Sequence, residues 1–323
     1  MLRSRYALFA WANVAYNLLV IIWGAFVRAS GSGAGCGDHW PLCDGQVIPV
    51  APSTEMMIEF THRVTSGLAM IGALIMLIWA FRIYERGHIV RRGATVTMVF
   101  MIIEALLGAA LVIFSLVAMN TSAVRAWMMG LHLINTFLLV GAMTLTAWWA
   151  SGGAPISLRS HGRLPLFLGL GLLGTALVGA SGAVTALGDT LLHHGALPGG
   201  VTQAITSDSH PLVQMRIIHP IIAVLFSIYI LYMVRVVTDQ RNEPLVHRLA
   251  WALPTMFFIQ ILIGCVNVTL KAPVWMQLTH LLVADLTWIV QVLLAAVALA
   301  VPVTVAEPAS RTTPARVRAG MGT

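Results

Sequence analysis

The chain has 323 residues, 58% of them hydrophobic and only 10% charged, with a mean hydropathy of +0.85. A soluble domain carries about 25% charged residues, so this composition excludes one and puts most of the chain in a bilayer. The formal charge of +7 and the pI of about 10 then report membrane topology, and no nucleic-acid partner is expected.

Apolar stretches of roughly the 20 residues that span a bilayer run at about 6–28, 59–83, 95–118, 127–149, 164–184, 212–236, 249–270 and 275–303. The first is full length and lacks a small-residue cleavage site, so it reads as a span rather than a leader. The predicted fold class is an all-α integral membrane protein with eight transmembrane helices. Eight spans put both termini on one side, which carries 14 of the 19 Lys and Arg residues. The positive-inside rule makes that side cytoplasmic.

The loop at 29–58 then lies outside, in an oxidising compartment. It contains "GCGDHWPLCDG" (35–45), with Cys36 and Cys43 seven apart. A stapling disulfide is expected there, with a redox-active thiol pair as the alternative. The spacing is not Cys-x-x-Cys, and His39 and Asp38 do not complete a zinc set. The second span opens with "EFTHR" (59–63), where Glu59 precedes His62 by three residues and shares its helical face. Glu59 reads as a group that moves protons or positions an oxygen species. Its plainer reading is a helix N-terminal carboxylate favoured by the macrodipole. Arg63 reads as a partner for a ligand's carboxylates or as an interfacial anchor. Glu104 lies in the third span and His132 in the fourth.

A polar linker, "SGGAPISLRSHGR" (151–163), leads into a second half that repeats the first. "AFVRASGSGAGCGD" (25–38) aligns with "ALVGASGAVTALGD" (176–189) at a shift of 151, and "EALLGAALV" (104–112) with "QILIGCVNV" (260–268) at a shift of 156. The expected organisation is two tandem, parallel-repeat four-helix bundles at 1–150 and 164–303, followed by a disordered cytoplasmic tail at 304–323. In the second half "GLGLLG" (169–174) lies inside a span with no preceding strand, so small-residue helix packing explains it better than a dinucleotide site. A long outer loop is expected at 185–211. "RIIHP" (216–220) puts Arg216 where the first half has Glu59, and Gln260 takes the place of Glu104. Arg216, like Arg63, reads as a carboxylate contact or an anchor. Asp285 lies in the eighth span, where it reads as a support for His280 or part of a proton path, or as a hydrogen-bonded bundle residue. Cys265 reads as a core residue of the seventh.

Of eleven histidines, seven read as solvated loop residues, among them His161, His193 and the "HR" at 247–248. The other four, His62, His132, His219 and His280, each fall on an even-numbered span, five to seven residues past its outer end. At 1.5 Å per residue this is about 8–10 Å deep. Ionisable groups inside a membrane are costly and default to function. Two facing imidazoles per half suit haem iron, which takes axial histidines from opposite sides, and haem propionates are then the carboxylates that Arg63 and Arg216 would meet. Proton relay, ordinary core packing and a bare zinc or copper site are the alternatives.

The loop "ASGSGAGCGDHWPLCDGQVIP", the "EFTHR" motif and one histidine on each even span resemble the haem A synthase family over residues 6–303. The resemblance implies oxidation of the C8 methyl of haem O to a formyl group, giving haem A for terminal oxidases. It implies that His62 and His132 hold the substrate haem, and that His219 and His280 hold a permanent haem b. Glu59 takes the place of the family's functional glutamate, and Cys36 with Cys43 that of its loop pair. A bacterial cell-membrane location, an electron donor (a quinol or redox protein) and a haem O synthase as partner follow from the same resemblance. The chain departs from many relatives in lacking cysteines in the second long outer loop and in having Pro220 where an arginine often follows the histidine. A di-haem electron-transfer cytochrome and a parallel-repeat transporter with histidine proton sites remain the competing classes.

Overall fold

A computed structural model describes residues 1–158, 161–195 and 210–300, and within them eight long helices form and no strand. They are α1 (Leu2–Ala29), α2 (Thr54–Ile83), α3 (Ile89–Ile113), α4 (Ala123–Ala150), α5 (Leu164–His193), α6 (Pro211–Gln240), α7 (Pro244–Thr269) and α8 (Val274–Ala298). All eight are long and apolar enough to cross a membrane. The predicted tail at 304–323 lies outside the described residues.

Several helices start before their apolar runs because caps and prolines, not hydropathy, set where a helix begins. The Ser53 hydroxyl accepts from the Met56 N–H at 3.2 Å, and the Ser122 hydroxyl from the Arg125 N–H at 3.3 Å. The His88 and His210 rings accept from Val90 N–H and Leu212 N–H in the same way, and Pro244 opens α7. Three expectations change as a result. Glu59 is the sixth residue of α2, past the first turn, where Glu55 is the acid. His247 sits in the first turn of α7 rather than in a loop. Counted from the first helical residue, His62, His132, His219 and His280 lie eight, nine, eight and six residues in, or about 9–14 Å.

Helix α5 differs most from expectation. It runs on to His193, so Asp189 and Thr190, expected in a loop, are helical and buried. Opposite charge and hydrogen bonding explain the extension. Arg216 of α6 pairs with Asp189 at 2.8 Å, and Arg28 of α1 donates to the Ala186 carbonyl at 2.6 Å and the Thr190 hydroxyl at 2.7 Å. Most of the outer loop expected at 185–211 (196–209) lies outside the described residues.

Helices α4 and α8 are the most enclosed and α6 the least. Within the halves, α1 packs on α2 and α4, α3 on α4, α5 on α6, and α7 on α8; α4–α5, α4–α8 and α1–α8 contacts join them. At that junction Phe137 stacks on Trp288, centroids 5.0 Å apart, and Arg28 reaches the Gln277 side chain at 3.1 Å. In the "GLGLLG" stretch a Cβ on Gly171 would lie 2.5 Å from the Met233 sulfur, and one on Gly174 2.0 Å from the Phe226 ring. These glycines let α6 pack against α5, as expected. The linker is not free: Ser157 N–H donates to the Leu299 carbonyl at 2.9 Å. His161 is buried on the Ser157 carbonyl rather than solvated. Large apolar side chains such as Leu225, Ile228 and Leu231 point outward, at no penalty where the solvent is hydrocarbon. Cys265 faces outward too, contrary to its core assignment. On peripheral α7 the lipid-facing side is as apolar as the core, and a thiol suits either.

Candidate functional site

The four intramembrane histidines fall into two couples. His62 of α2 lies within electrostatic reach of His132 of α4, and His219 of α6 within that of His280 of α8. Each imidazole rests by its Cε1 corner against a glycine of the helix before it. A Cβ would lie 2.8 Å from the His62 ring on Gly24, 3.1 Å from His219 on Gly182, 3.3 Å from His280 on Gly264, and 4.0 Å from His132 on Gly108. The Gly24 approach is closer than a methyl tolerates, those at Gly182 and Gly264 would need the ring to shift by a few tenths of an ångström, and that at Gly108 is an ordinary contact. Glycine in a helix interior is destabilising by about 0.5–1 kcal/mol relative to alanine, so close approach is the physical reason for it here. Gly182 stands to His219 as Gly24 stands to His62, a spacing of 158, not 151. The difference of seven residues is two helical turns, which preserves the face while moving the motif from loop to helix.

In the first half the disulfide loop closes over α2. Cys36 and Cys43 are bonded. Gly35 presses onto the Glu55–Met56 backbone so closely that any Cβ would clash. Glu59 is 4% exposed and serves as the loop's anchor. One carboxylate oxygen accepts from Cys36 N–H at 2.9 Å, the other from Arg63 Nε at 3.1 Å. Arg63 continues through Nη1 to the His39 and Leu42 carbonyls. Farther in, Glu104 of α3 accepts from Asn135 Nδ2 at 2.6 Å and Thr136 Oγ1 at 2.5 Å, and its Oε1 lies 3.6 Å from His132 Nε2.

The second half places an amide where the first has that carboxylate. Gln260 Nε2 of α7 donates to the His280 carbonyl at 3.0 Å. Ser181 Oγ lies 2.9 Å from His219 Nδ1. Arg216 pairs with Asp189 through Nε, while its Nη1 is buried without a hydrogen-bond partner. Asp285 is fully buried, and neither of its oxygens has a partner.

Sequence reasoning named the histidines, Glu59, Arg63 and Arg216 but missed the four glycines, Ser181 and Asp189. A signal existed for two of them: Glu104/Gly108 and Gln260/Gly264 are each spaced i, i+4, one face of one helix. The others needed neighbours that no spacing reveals.

Haem can be tested against these residues directly. The donor set is two imidazoles per half, and among the described residues no group of three or more His, Cys, Asp or Glu suits a metal ion. Such a set fits a metal that brings its own equatorial ligands, as porphyrin iron does. The Nδ1 atoms of His62, His132 and His280 are buried without partners, and the flanking glycines keep the ring corners clear of side chains. The residues fit.

Fold and site together define a class: an eight-helix membrane protein with coupled intramembrane histidines suited to haem. The model of the cytochrome oxidase assembly protein family (COX15-CtaA) matches residues 7–292, and the chain belongs to this family, that of the haem A synthases. It is therefore an integral membrane protein. Over 296 residues it is 49% identical to a Thermus thermophilus protein named protoheme IX farnesyltransferase, covering 92% of this chain and 49% of that one. The chain thus spans about half the length of that relative. It is 30% identical over 247 residues to a haem A synthase of an Exiguobacterium species, covering 76% of this chain and 77% of the relative. It is 40% identical over 137 residues to the haem A synthase of Geobacillus kaustophilus, 42% of each chain.

Proposed function

We propose that this protein is a haem A synthase, oxidising the C8 methyl of haem O to the formyl group of haem A for a terminal oxidase. The observation that carries the reading is the coupling of four intramembrane histidines in twos, each seated on a glycine. His62 and His132 bind the substrate haem in the first half, and His219 and His280 hold a haem b in the second. A haem b there would relay single electrons between the donor and the substrate site. Converting a methyl to a formyl replaces two C–H hydrogens with one oxygen atom, so protons as well as electrons must move and the substrate site needs a group that carries protons. Glu59, one helical turn from His62 and held by Cys36 N–H and Arg63, fills that role. Arg216, with a free Nη1, meets a propionate of the second haem; Arg63 reaches one only by releasing a loop carbonyl.

The termini lie in the cytoplasm of a bacterial cell and the Cys36–Cys43 loop outside it, a reading that the arginine distribution supports. Electrons come from a quinol or a redox protein. The Thermus relative named a protoheme IX farnesyltransferase aligns with this chain over only 49% of its length. This supports a farnesylating, haem O-producing enzyme as the partner that supplies the substrate. Chromatography of haems extracted from the purified protein tests the reading. Haem B with haem O or A is the expected result. Haem B alone indicates an electron-transfer cytochrome, and the absence of any haem indicates a transporter; either overturns the proposal.

A further inference from the structure

The four histidines are seated alike but held differently. His62, His132 and His280 each present a buried Nδ1 with no hydrogen-bond partner. His219 is the exception: Ser181 Oγ lies 2.9 Å from its Nδ1, and Ser181 adjoins Gly182, the glycine under the same ring. The Ser181 hydroxyl donates its one hydrogen to the Val178 carbonyl at 2.7 Å, which leaves its lone pairs to accept from the imidazole. A hydroxyl whose hydrogen is committed to Val178 can only accept here, which puts the proton on Nδ1 and leaves Nε2 with its lone pair. The first half has no such device. Beside Gly24 stands Trp23, whose indole N–H is turned to the Ile58 carbonyl at 3.2 Å.

We propose that Ser181 and Gly182 are positioning residues that make the second half the site that retains its haem, while the unheld Nδ1 of His62 leaves the first half free to exchange one. This rests on the reading given under Proposed function. A fixed tautomer and ring orientation lower the reorganisation needed at each binding event. Outer hydrogen-bond partners of a ligating histidine typically change metal affinity by about 10–100-fold. A substrate site must admit haem and release product, so a ring with one unheld nitrogen suits it. A resident cofactor needs the opposite.

The test is the loss of haem B from purified full-length protein to excess apomyoglobin, with the midpoint potential and low-spin spectrum of the retained haem recorded beside it. Ser181→Ala keeps helix propensity, and the expected result is haem B loss faster by about 10–100-fold. The midpoint potential should rise, because an imidazole without its Nδ1 acceptor is less basic. Ser181→Thr should restore both. Gly182→Ala should disturb the low-spin spectrum by moving the ring. Unchanged loss and potential in Ser181→Ala, or failure of threonine to rescue, overturns the inference. Wild-type protein without haem B overturns the functional reading beneath it instead.

Discussion

The two halves place their histidines by one rule and surround them by two. In each, an odd helix presents a glycine to the imidazole of the even helix after it. Around that shared frame the first half gathers carboxylates: Glu59 a turn before His62, and Glu104 at 3.6 Å from His132. The second half replaces them with Arg216 and Gln260, and holds His219 by a serine hydroxyl. Acids that accept protons, beside a loop that closes over them, suit a site where a substrate changes. An amide, a paired arginine and a fixed tautomer suit a site where a cofactor stays as it is. The comparison teaches that similar histidine seats can be given different surroundings by a few side chains, without any change of fold.

The largest expected effects break the comparison outright. His219→Ala should abolish the low-spin b signal and leave close to no haem B on extraction. His62→Ala should keep haem B and lose bound haem O and A. Equal losses from both variants would show that the halves do not hold separate haems. Glu59→Ala comes next: removing a proton acceptor typically lowers turnover by about 10²–10⁴-fold. Haem A output in cells should fall to that extent with haem B intact, and normal output would remove Glu59 from the chemistry. Glu104→Gln gives the first half the amide of the second. It should fold and retain haem B while weakening substrate binding at His132 by about tenfold, read as the haem O to haem B ratio after extraction.

The smallest effect sharpens the contrast between the loops. Cys36→Ser with Cys43→Ser removes a staple that closes a short loop, so the loss of stability should be about 2 kcal/mol, the low end for disulfides. The thermal midpoint should drop while the haem B spectrum stays unchanged, since the staple sits over α2 and not in the second half. A changed haem B spectrum would mean that the two sites are mechanically coupled through the junction held by Arg28 and by Phe137–Trp288.

Much of this arrangement was legible in the chain. Eight apolar runs became eight helices, and four histidines on even spans became two couples, because hydropathy and helical period act locally. The boundaries were less legible. Helices α2 and α7 begin where Ser53 and Pro244 permit, ahead of their apolar runs. Helix α5 continues past Val184 because Arg28 and Arg216, distant in sequence, bring charge and donors to Asp189, Ala186 and Thr190.

The sequence alone determined that the chain crosses a membrane eight times and carries its ionisable imidazoles at matching depths. Water-to-lipid transfer and the 3.6-residue period suffice for that. Only the tertiary structure decided which glycine lies under which histidine, that Glu59 anchors the disulfide loop, and that Ser181 holds His219 alone. Those relations depend on the rotation and offset of packed helices. A two-turn slide of α5 relative to the repeat leaves every local pattern intact while changing every neighbour.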